Sequence, residues 1–119
     1  MANRTKFSTM KDQTGSAVYA PLPSNQSYSA ILAAGVPSSV AIPTGVDMVI
    51  FVFGNGGDVW VNYEGTATLP TLSSFVLSTS MLNPSARQIP LGATNISFVC
   101  ANANYVEVSF YTVYGYTFA

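Results

Sequence analysis

The chain contains one motif used twice, and this repeat constrains the fold more than any other feature. Residues 41–63 read AIPTGVDMVIFVFGNGGDVWVNY, and residues 88–110 read QIPLGATNISFVCANANYVEVSF. The two copies align without a gap, so that Ile42 matches Ile89 and Gly45 matches Gly92. Each copy reads as a turn, a strand, a turn rich in Gly or Asn, and a returning strand. We therefore expect two equivalent hairpins, at 41–63 and 88–110, related by a pseudo-two-fold axis.

The residue chemistry of each copy favours strands over helices. The opening Ile-Pro-x-Gly is a turn signal, because proline presets φ and the glycine permits a positive φ. Residues 46–53 form an apolar run that is short and rich in β-branched and aromatic side chains, which predicts a strand buried on both faces. Residues 54–57 give the strongest hairpin signal in the chain. After that turn the alternation places Trp60 on the face opposite to Val59 and Val61.

Outside the repeat we expect an extended arm and a long loop. Residues 1–15 carry three of the four basic side chains and lack hydrophobic periodicity, so they are predicted to form an N-terminal arm that lies on a partner or on its own domain. Residues 66–86 contain no charge and are rich in apolar side chains. They predict a long loop, with a possible strand at 75–77, that packs over one end of the domain or on another subunit.

The remaining strand signals complete a single domain at residues 16–119. Short strands are predicted at 17–20, 28–34 and 38–42, ahead of the first copy of the motif, although the spacing of Ala30, Leu32 and Ala33 would also suit one helical turn. The sum is roughly seven to nine short strands with a turn signal about every ten residues. The fold class is therefore all-β, as a β-sandwich or jelly roll, and a small barrel is the main competitor.

Composition indicates a surface that is suited to association. Only 8% of the 119 residues are charged, against roughly 25% in an average soluble protein, and the formal net charge is −1. A weakly charged surface gives little protection against association. This predicts a protein that sits inside an assembly. A secreted or lectin-like β domain would show the same uncharged polar surface.

Several classes of chemistry lack the residues that they need. The chain has no histidine and a single cysteine, Cys100, which excludes a Cys/His zinc site and a Ser-His-Asp triad. Asp58 and Glu64 flank one predicted strand, but a role at a solvated edge is the stronger interpretation than a glycosidase pair. No basic patch and no apolar run of membrane-spanning length is present. We predict no enzyme activity, no cofactor, no nucleic acid and no membrane, with synthesis in a cytoplasm because no secretory signal is visible.

Residues 58–71 read DVWVNYEGTATLPT, and residues 81–111 read MLNPSARQIPLGATNISFVCANANYVEVSFY. Together these two stretches resemble small virion structural proteins of tailed bacteriophages. In those proteins a V-x-V-N-x-x-G-T-A stretch leads to a loop, then to L-N-P-x-x-R-x-I-P-x-G-A-T, and a V-x-V-x-F-Y strand closes the chain. This sequence departs from the pattern at 71–80, which is more apolar. The resemblance implies a capsid decoration (cement) protein, located on the virion surface after synthesis in the host cytoplasm.

Two functions follow as expectations. The first is a homotrimer that binds the outer capsid surface and stabilises it by bridging subunits of the major capsid protein. The residues predicted to make these contacts come from the arm, the loop and the first repeat: Arg4, Lys6, Phe7, Lys11, Leu72, Phe75, Leu77, Met81 and Trp60. The alternative is a phage tail, fibre or lectin-like module that stacks host carbohydrate on exposed aromatic rings. That module would use Trp60, Tyr105, Tyr111 and Tyr114.

Overall fold

The computed structural model describes residues 6–113, and these residues contain β-strands and no helix. The strands are β1 (Met10–Lys11), β2 (Ala17–Val18), β3 (Ser27–Leu32), β4 (Ser38–Ala41), β5 (Met48–Phe53), β6 (Val59–Asn62), β7 (Met81–Leu82), β8 (Ala86–Gln88), β9 (Asn95–Cys100) and β10 (Asn104–Tyr111). The predicted all-β class is confirmed.

Two four-stranded antiparallel sheets pack together, as in a β-sandwich. Sheet I has the strand order β3-β10-β5-β8, and sheet II has the order β4-β9-β6-β7. The buried side chains of both sheets form one apolar core. At its centre the rings of Phe51 and Phe98 meet edge to face, with their centroids 6.1 Å apart. These two residues occupy the same position in the two copies of the motif, so equivalent side chains of the two copies contact each other in the core.

The prediction that each copy forms a hairpin is wrong. In the first copy β5 belongs to sheet I and β6 to sheet II, and in the second copy β9 belongs to sheet II and β10 to sheet I. Residues 54–58 therefore cross from one sheet to the other. The glycines there allow close packing of two turns, since a Cβ at Gly56 would collide with the backbone carbonyl of Ala103. The buried side chain of Asn104 joins the same turns by bonding Gly54 and Gly57.

The strand registers follow the pseudo-two-fold relation between the copies. Phe53 lies opposite Val106, and the corresponding residues Cys100 and Val59 lie opposite each other. The flanking strands obey the same relation. Met48 of β5 pairs with Gln88 of β8. The residues at the corresponding positions of the motif, Asn95 of β9 and Ala41 of β4, also pair with each other. Each sheet thus combines strands from both copies.

The two copies differ in how their outer faces are covered. In β5 the side chains of Val49 and Phe51 are buried, whereas Val52 is exposed, so the predicted burial of both faces is wrong for this strand. In β9, by contrast, all residues after Asn95 are buried. The reason is that the connection from β6 to β7 covers the outer face of sheet II. This connection contains no strand at 75–77, and its short strand lies instead at Met81–Leu82.

The described part of the N-terminal arm lies on its own domain. β1 pairs with β2 in a small antiparallel sheet, and Asp12 accepts hydrogen bonds from the backbone N–H groups of Thr14 and Ser16 at the intervening turn. Before β1, Lys6 forms a parallel bridge to Thr112.

Candidate partner-binding surface

The connection at residues 63–80, which we call the cover loop, folds back across the outer face of sheet II. Ala67 is buried, and its N–H donates to the hydroxyl oxygen of Ser97 on β9 at 2.9 Å. Beneath the loop, the outward-facing Val99 is only 3% exposed. The cover loop is therefore part of the folded domain and forms a third layer over this sheet.

A polar network fixes the base of the cover loop, and Asn62 at the end of β6 is its centre. The side-chain amide of Asn62 donates to Thr79 Oγ1 at 2.8 Å and to Ser80 Oγ at 3.2 Å. Its carbonyl oxygen accepts the backbone N–H groups of Glu64 and Gly65. Asn62 and Ser80 are both buried. Satisfied networks of this kind impose a single arrangement on the backbone, so both ends of the loop are held.

The outer side of the cover loop is apolar and faces solvent. Phe75 and Leu77 are fully exposed, at 109% and 99%, and their neighbours Leu72 and Val76 are also exposed. We call these four residues the apolar tip. Isolated exposed apolar residues are ordinary, but a contiguous group marks an interaction surface. The structure thus places three of the predicted contact residues, Leu72, Phe75 and Leu77, on one exposed segment of the cover loop, where all three line the same cleft.

Trp60 lies beneath the cover loop, whereas Met81 lies at the edge of sheet II. Trp60 occupies the outer face of β6, opposite Val99 and Leu82, and is partly buried. It lines a cleft of about 570 Å³ whose other walls are formed by the cover loop. The predicted orientation of Trp60, opposite to Val59 and Val61, is confirmed. Met81 pairs with the core residue Val61 and is partly buried, so it supports β7 at the sandwich edge and is not part of the tip.

The arm residues lie away from the apolar tip. The ring of Phe7 contacts Tyr111 edge to face at 5.4 Å, and its N–H donates to the carbonyl of Thr112. Phe7 is therefore used in packing against the end of β10, which belongs to sheet I, whereas the tip lies over sheet II. Lys6 and Lys11 are exposed. Arg4 lies outside the described residues. The structure does not bring the described arm residues and the tip into one surface.

The aromatic residues of the carbohydrate-binding alternative are not assembled into a platform. Tyr111 is buried, and its hydroxyl donates to the carbonyl of Leu22 at 2.8 Å, so its ring is not available for stacking. Tyr105 is exposed on the outer face of sheet I, and Trp60 lies on the outer face of sheet II. Tyr114 lies outside the described residues. The rings that the structure describes point to different sides of the molecule.

Other candidate chemistry is dispersed. Asp58 accepts a hydrogen bond from the side-chain amide of Asn83, and Glu64 lies beyond the opposite end of β6. Residues 6–113 hold no group of three or more Cys, Asp or Glu side chains placed to bind a metal ion. Cys100 is buried, and burial raises the pKa of its thiol. Within the same residues there is no helix that could span a membrane.

Sequence reasoning missed the polar network around Asn62. The signal was present at the end of β6, where an amide follows the alternating Val59 and Val61 and precedes the Glu-Gly turn. An amide at such a position can satisfy the backbone of a turn through its own carbonyl oxygen. The sequence does not specify Thr79 and Ser80 as its partners, because they lie at the far end of a loop whose path depends on tertiary packing.

Comparison with known proteins returns no match, whether to family models, to curated proteins or to solved structures.

Proposed function

We propose that this protein is a non-enzymatic virion structural protein that binds the outer surface of a phage capsid and bridges subunits of the major capsid protein, as a homotrimer. The observation that carries the proposal is an apolar tip mounted on a hydrogen-bonded base. The proposed location on a virion capsid rests on the resemblance of residues 58–71 and 81–111 to small phage structural proteins.

The geometry of the cover loop suits attachment to a protein surface. Removing apolar side chains from water contributes roughly 25 cal/mol per Å², and Phe75 and Leu77 present nearly their whole side chains for such burial. Ordering a flexible loop at an interface opposes binding, but the bonds made by Asn62 already hold the base of this loop. Most of the apolar contact therefore remains available for attachment.

We also propose that the double sheet is a jelly roll. The support is its strand order: the eight strands β3 to β10 form two sheets ordered β3-β10-β5-β8 and β4-β9-β6-β7, and every step along the chain except β6 to β7 changes sheet. Jelly rolls are double-sheet folds that occur in viral capsid and lectin domains. This architecture agrees with a role in binding, and the tip is then an insertion between two of its strands.

The test is capsid binding by a variant of the tip. Purified protein carrying Phe75→Ser and Leu77→Ser is added to capsids of the phage that encodes it, from which the native protein has been removed. We expect the occupancy at a fixed concentration to fall at least tenfold, which corresponds to a loss of about 1.4 kcal/mol. Val52→Ser is the matched control, because Val52 is also exposed but lies on sheet I. Equal binding by the double variant would refute the role of the tip.

The number of copies per particle tests the location. On the order of hundreds of copies would agree with a lattice of capsid sites, whereas about a dozen or fewer would indicate a tail, portal or fibre. The second result would contradict the cement function and would favour the carbohydrate-binding alternative. High salt should leave occupancy nearly unchanged, since an apolar contact is not screened by ions.

A further inference from the structure

One of the four edges of sheets I and II differs from the others. β7 has two residues, β8 has three and includes Arg87, and β4 is bounded by Pro37 and Pro43. Short length, charge and proline all discourage pairing of an edge with another chain. β3, at the edge of sheet I, has six residues and contains neither a charge nor a proline. Its edge alone of the four lacks these protections.

The backbone hydrogen-bonding groups of β3 point alternately toward its partner β10 and toward the open edge. Phe110 N–H donates to the carbonyl of Gln26, and antiparallel pairing alternates from that point. Tyr28, Ala30 and Leu32 therefore bond to β10. The N–H and C=O groups of the intervening residues, Ser27, Ser29 and Ile31, point to the other side, where residues 6–113 supply no neighbouring strand. All three intervening residues are exposed.

An apolar cleft opens beside this edge. It measures about 230 Å³ and lies between the two sheets, where the edges β3 and β4 leave the core accessible. Its walls include Ala30 and Val40 from the two edge strands and Phe98, Val106 and Val108 from the core. A strand added to β3 would direct every second side chain toward this cleft. The edge thus offers backbone groups for pairing and a pocket for an apolar side chain.

We propose that residues 114–118 of a second copy add to the open edge of β3 as an extra strand. This segment reads YGYTF, so that Tyr114, Tyr116 and Phe118 alternate with small or polar residues in the two-residue period of a strand. It carries no charge, and neither does β3. When a strand is added to a sheet edge, backbone hydrogen bonds provide the affinity, and pockets for every second side chain provide the specificity.

The position of Val113 indicates that the acceptor is a neighbouring copy. Its N–H donates to Asp47 Oδ1, and the residue lines a cleft with Ala86 and Gln88 of β8. β8 is the edge of sheet I opposite to β3. The segment therefore starts on the far side of the sheet from the open edge. Donor and acceptor edges on opposite sides give a head-to-tail contact, which closes into a ring or extends as a filament.

Pairing of β3 with the β3 of another copy fits the cleft less well. The inward-facing side chains of β3 are already used within their own domain: Leu32 is in the core, and the Tyr28 ring contacts Phe110 at 5.9 Å. They cannot also enter the cleft of a neighbour. Residues 114–118 supply three aromatic side chains in the two-residue period of a strand, and one of them can occupy the cleft.

The first test is the association state of the full chain by sedimentation. Ser29→Pro removes an N–H that points to the open edge and leaves the ladder to β10 intact, and prolines are tolerated at such edge positions. Ser29→Ala keeps the N–H and is the matched control. We expect the parent chain and Ser29→Ala to associate, and Ser29→Pro to associate at least tenfold more weakly. The double substitution Tyr116→Ser and Phe118→Ser should weaken association equally.

The second test uses a synthetic peptide of residues 113–118 and a chain that ends at residue 113. The peptide should bind this shortened chain and should fail to bind when it carries N-methyl groups on alternate amides. If Ser29→Pro does not fold, Ile31→Lys places a charge on the same edge and should also abolish peptide binding.

Four results would overturn the proposal. They are a parent chain that is monomeric at all concentrations, undiminished association of the Tyr116 and Phe118 variant, undiminished association of a folded Ser29→Pro variant, and a peptide that does not bind the shortened chain. None of these depends on capsids. Failure here is therefore distinct from failure of the proposed virion function, which is measured with the Phe75 and Leu77 variant.

Discussion

Val52 and Val99 occupy the same position in the two copies of the motif, yet Val52 is 58% exposed and Val99 is 3% exposed. Both lie on the outer face of a central strand, in sheets whose registers are equivalent. The difference is the cover loop, which lies over sheet II, whereas no segment of residues 6–113 covers Val52 on sheet I. Burial of a strand's outer face is therefore decided by what crosses it. A duplicated framework can in this way present two different surfaces.

The same contrast continues along the returning strands. Asn62 and Tyr63 of the first copy correspond to Ser109 and Phe110 of the second. Asn62 holds the cover loop, whereas Ser109 shares a single hydroxyl contact with Ser27 at 3.0 Å. Phe110 is fully buried, whereas Tyr63 is partly exposed and has a buried hydroxyl without a hydrogen-bond partner. Paired substitutions at these equivalent positions can therefore test the comparison directly.

The largest effect is expected for Phe110→Ala. Removing a fully buried phenylalanine leaves a cavity and should lower the free energy of unfolding by about 3–5 kcal/mol. Tyr63→Ala should cost clearly less, because that side chain keeps part of its surface in water. Urea unfolding monitored by tryptophan fluorescence gives both values. Equal losses would show that the two positions are energetically equivalent despite their different burial.

The next effect is expected for Asn62→Ala. This change leaves the N–H groups of Glu64 and Gly65 without their acceptor, and we expect a loss of about 2–3 kcal/mol. Ser109→Ala should cost about 0.5 kcal/mol, since it removes one exposed contact. Limited proteolysis should cut the Asn62→Ala variant faster within residues 69–77. Unchanged protection would mean that other contacts hold the cover loop.

A smaller and more direct contrast is expected between Val99→Ser and Val52→Ser. The first places a hydroxyl beneath the cover loop and removes buried apolar surface, so a loss of about 2 kcal/mol is expected. The second changes an exposed residue and should stay within about 0.5 kcal/mol. Thermal unfolding of the two variants and the parent protein measures both losses of stability. A large effect at Val52 would indicate that the outer face of sheet I is also covered.

Apart from the control substitutions, the smallest effect is expected for Tyr63→Phe, which gives the first copy the residue of the second and should change stability in the opposite direction. Removing an unpartnered buried hydroxyl should raise stability by about 1 kcal/mol. Burial raises the pKa of Tyr63 to about 12 from its usual value of 10.0. Between these two values the unfolded chain loses the proton and the folded chain keeps it, so stability falls as the pH rises. The fall in the free energy of unfolding between these pH values should therefore be absent from the Tyr63→Phe variant. If the same fall persists in that variant, another group causes it.

The sequence predicts the strands of this fold better than their partners. Periodicity and turn chemistry locate both copies of the motif, and the turn glycines Gly45 and Gly92 adopt the positive φ expected, at 87° and 85°. The same turn chemistry wrongly predicts hairpins, because a Gly-rich reversal does not specify whether the next strand joins the same sheet. The apolar tip is recognisable as an apolar, uncharged loop. The hydrogen bonds of Asn62 with Thr79 and Ser80 hold the base of the loop that carries the tip. They depend on the tertiary course of the loop, which local residue preferences do not specify.

The interleaving of the two copies has a consequence for how the chain folds. Within the two four-stranded sheets, β6 and β7 are the only neighbouring strands of the described residues that are also consecutive in the chain. β10, the last strand in residues 6–113, lies in the interior of sheet I between β3 and β5. Chains dominated by such distant pairings must close long segments first and fold slowly, in roughly milliseconds to seconds. During translation, sheet I cannot be completed until residues 104–111 have left the ribosome.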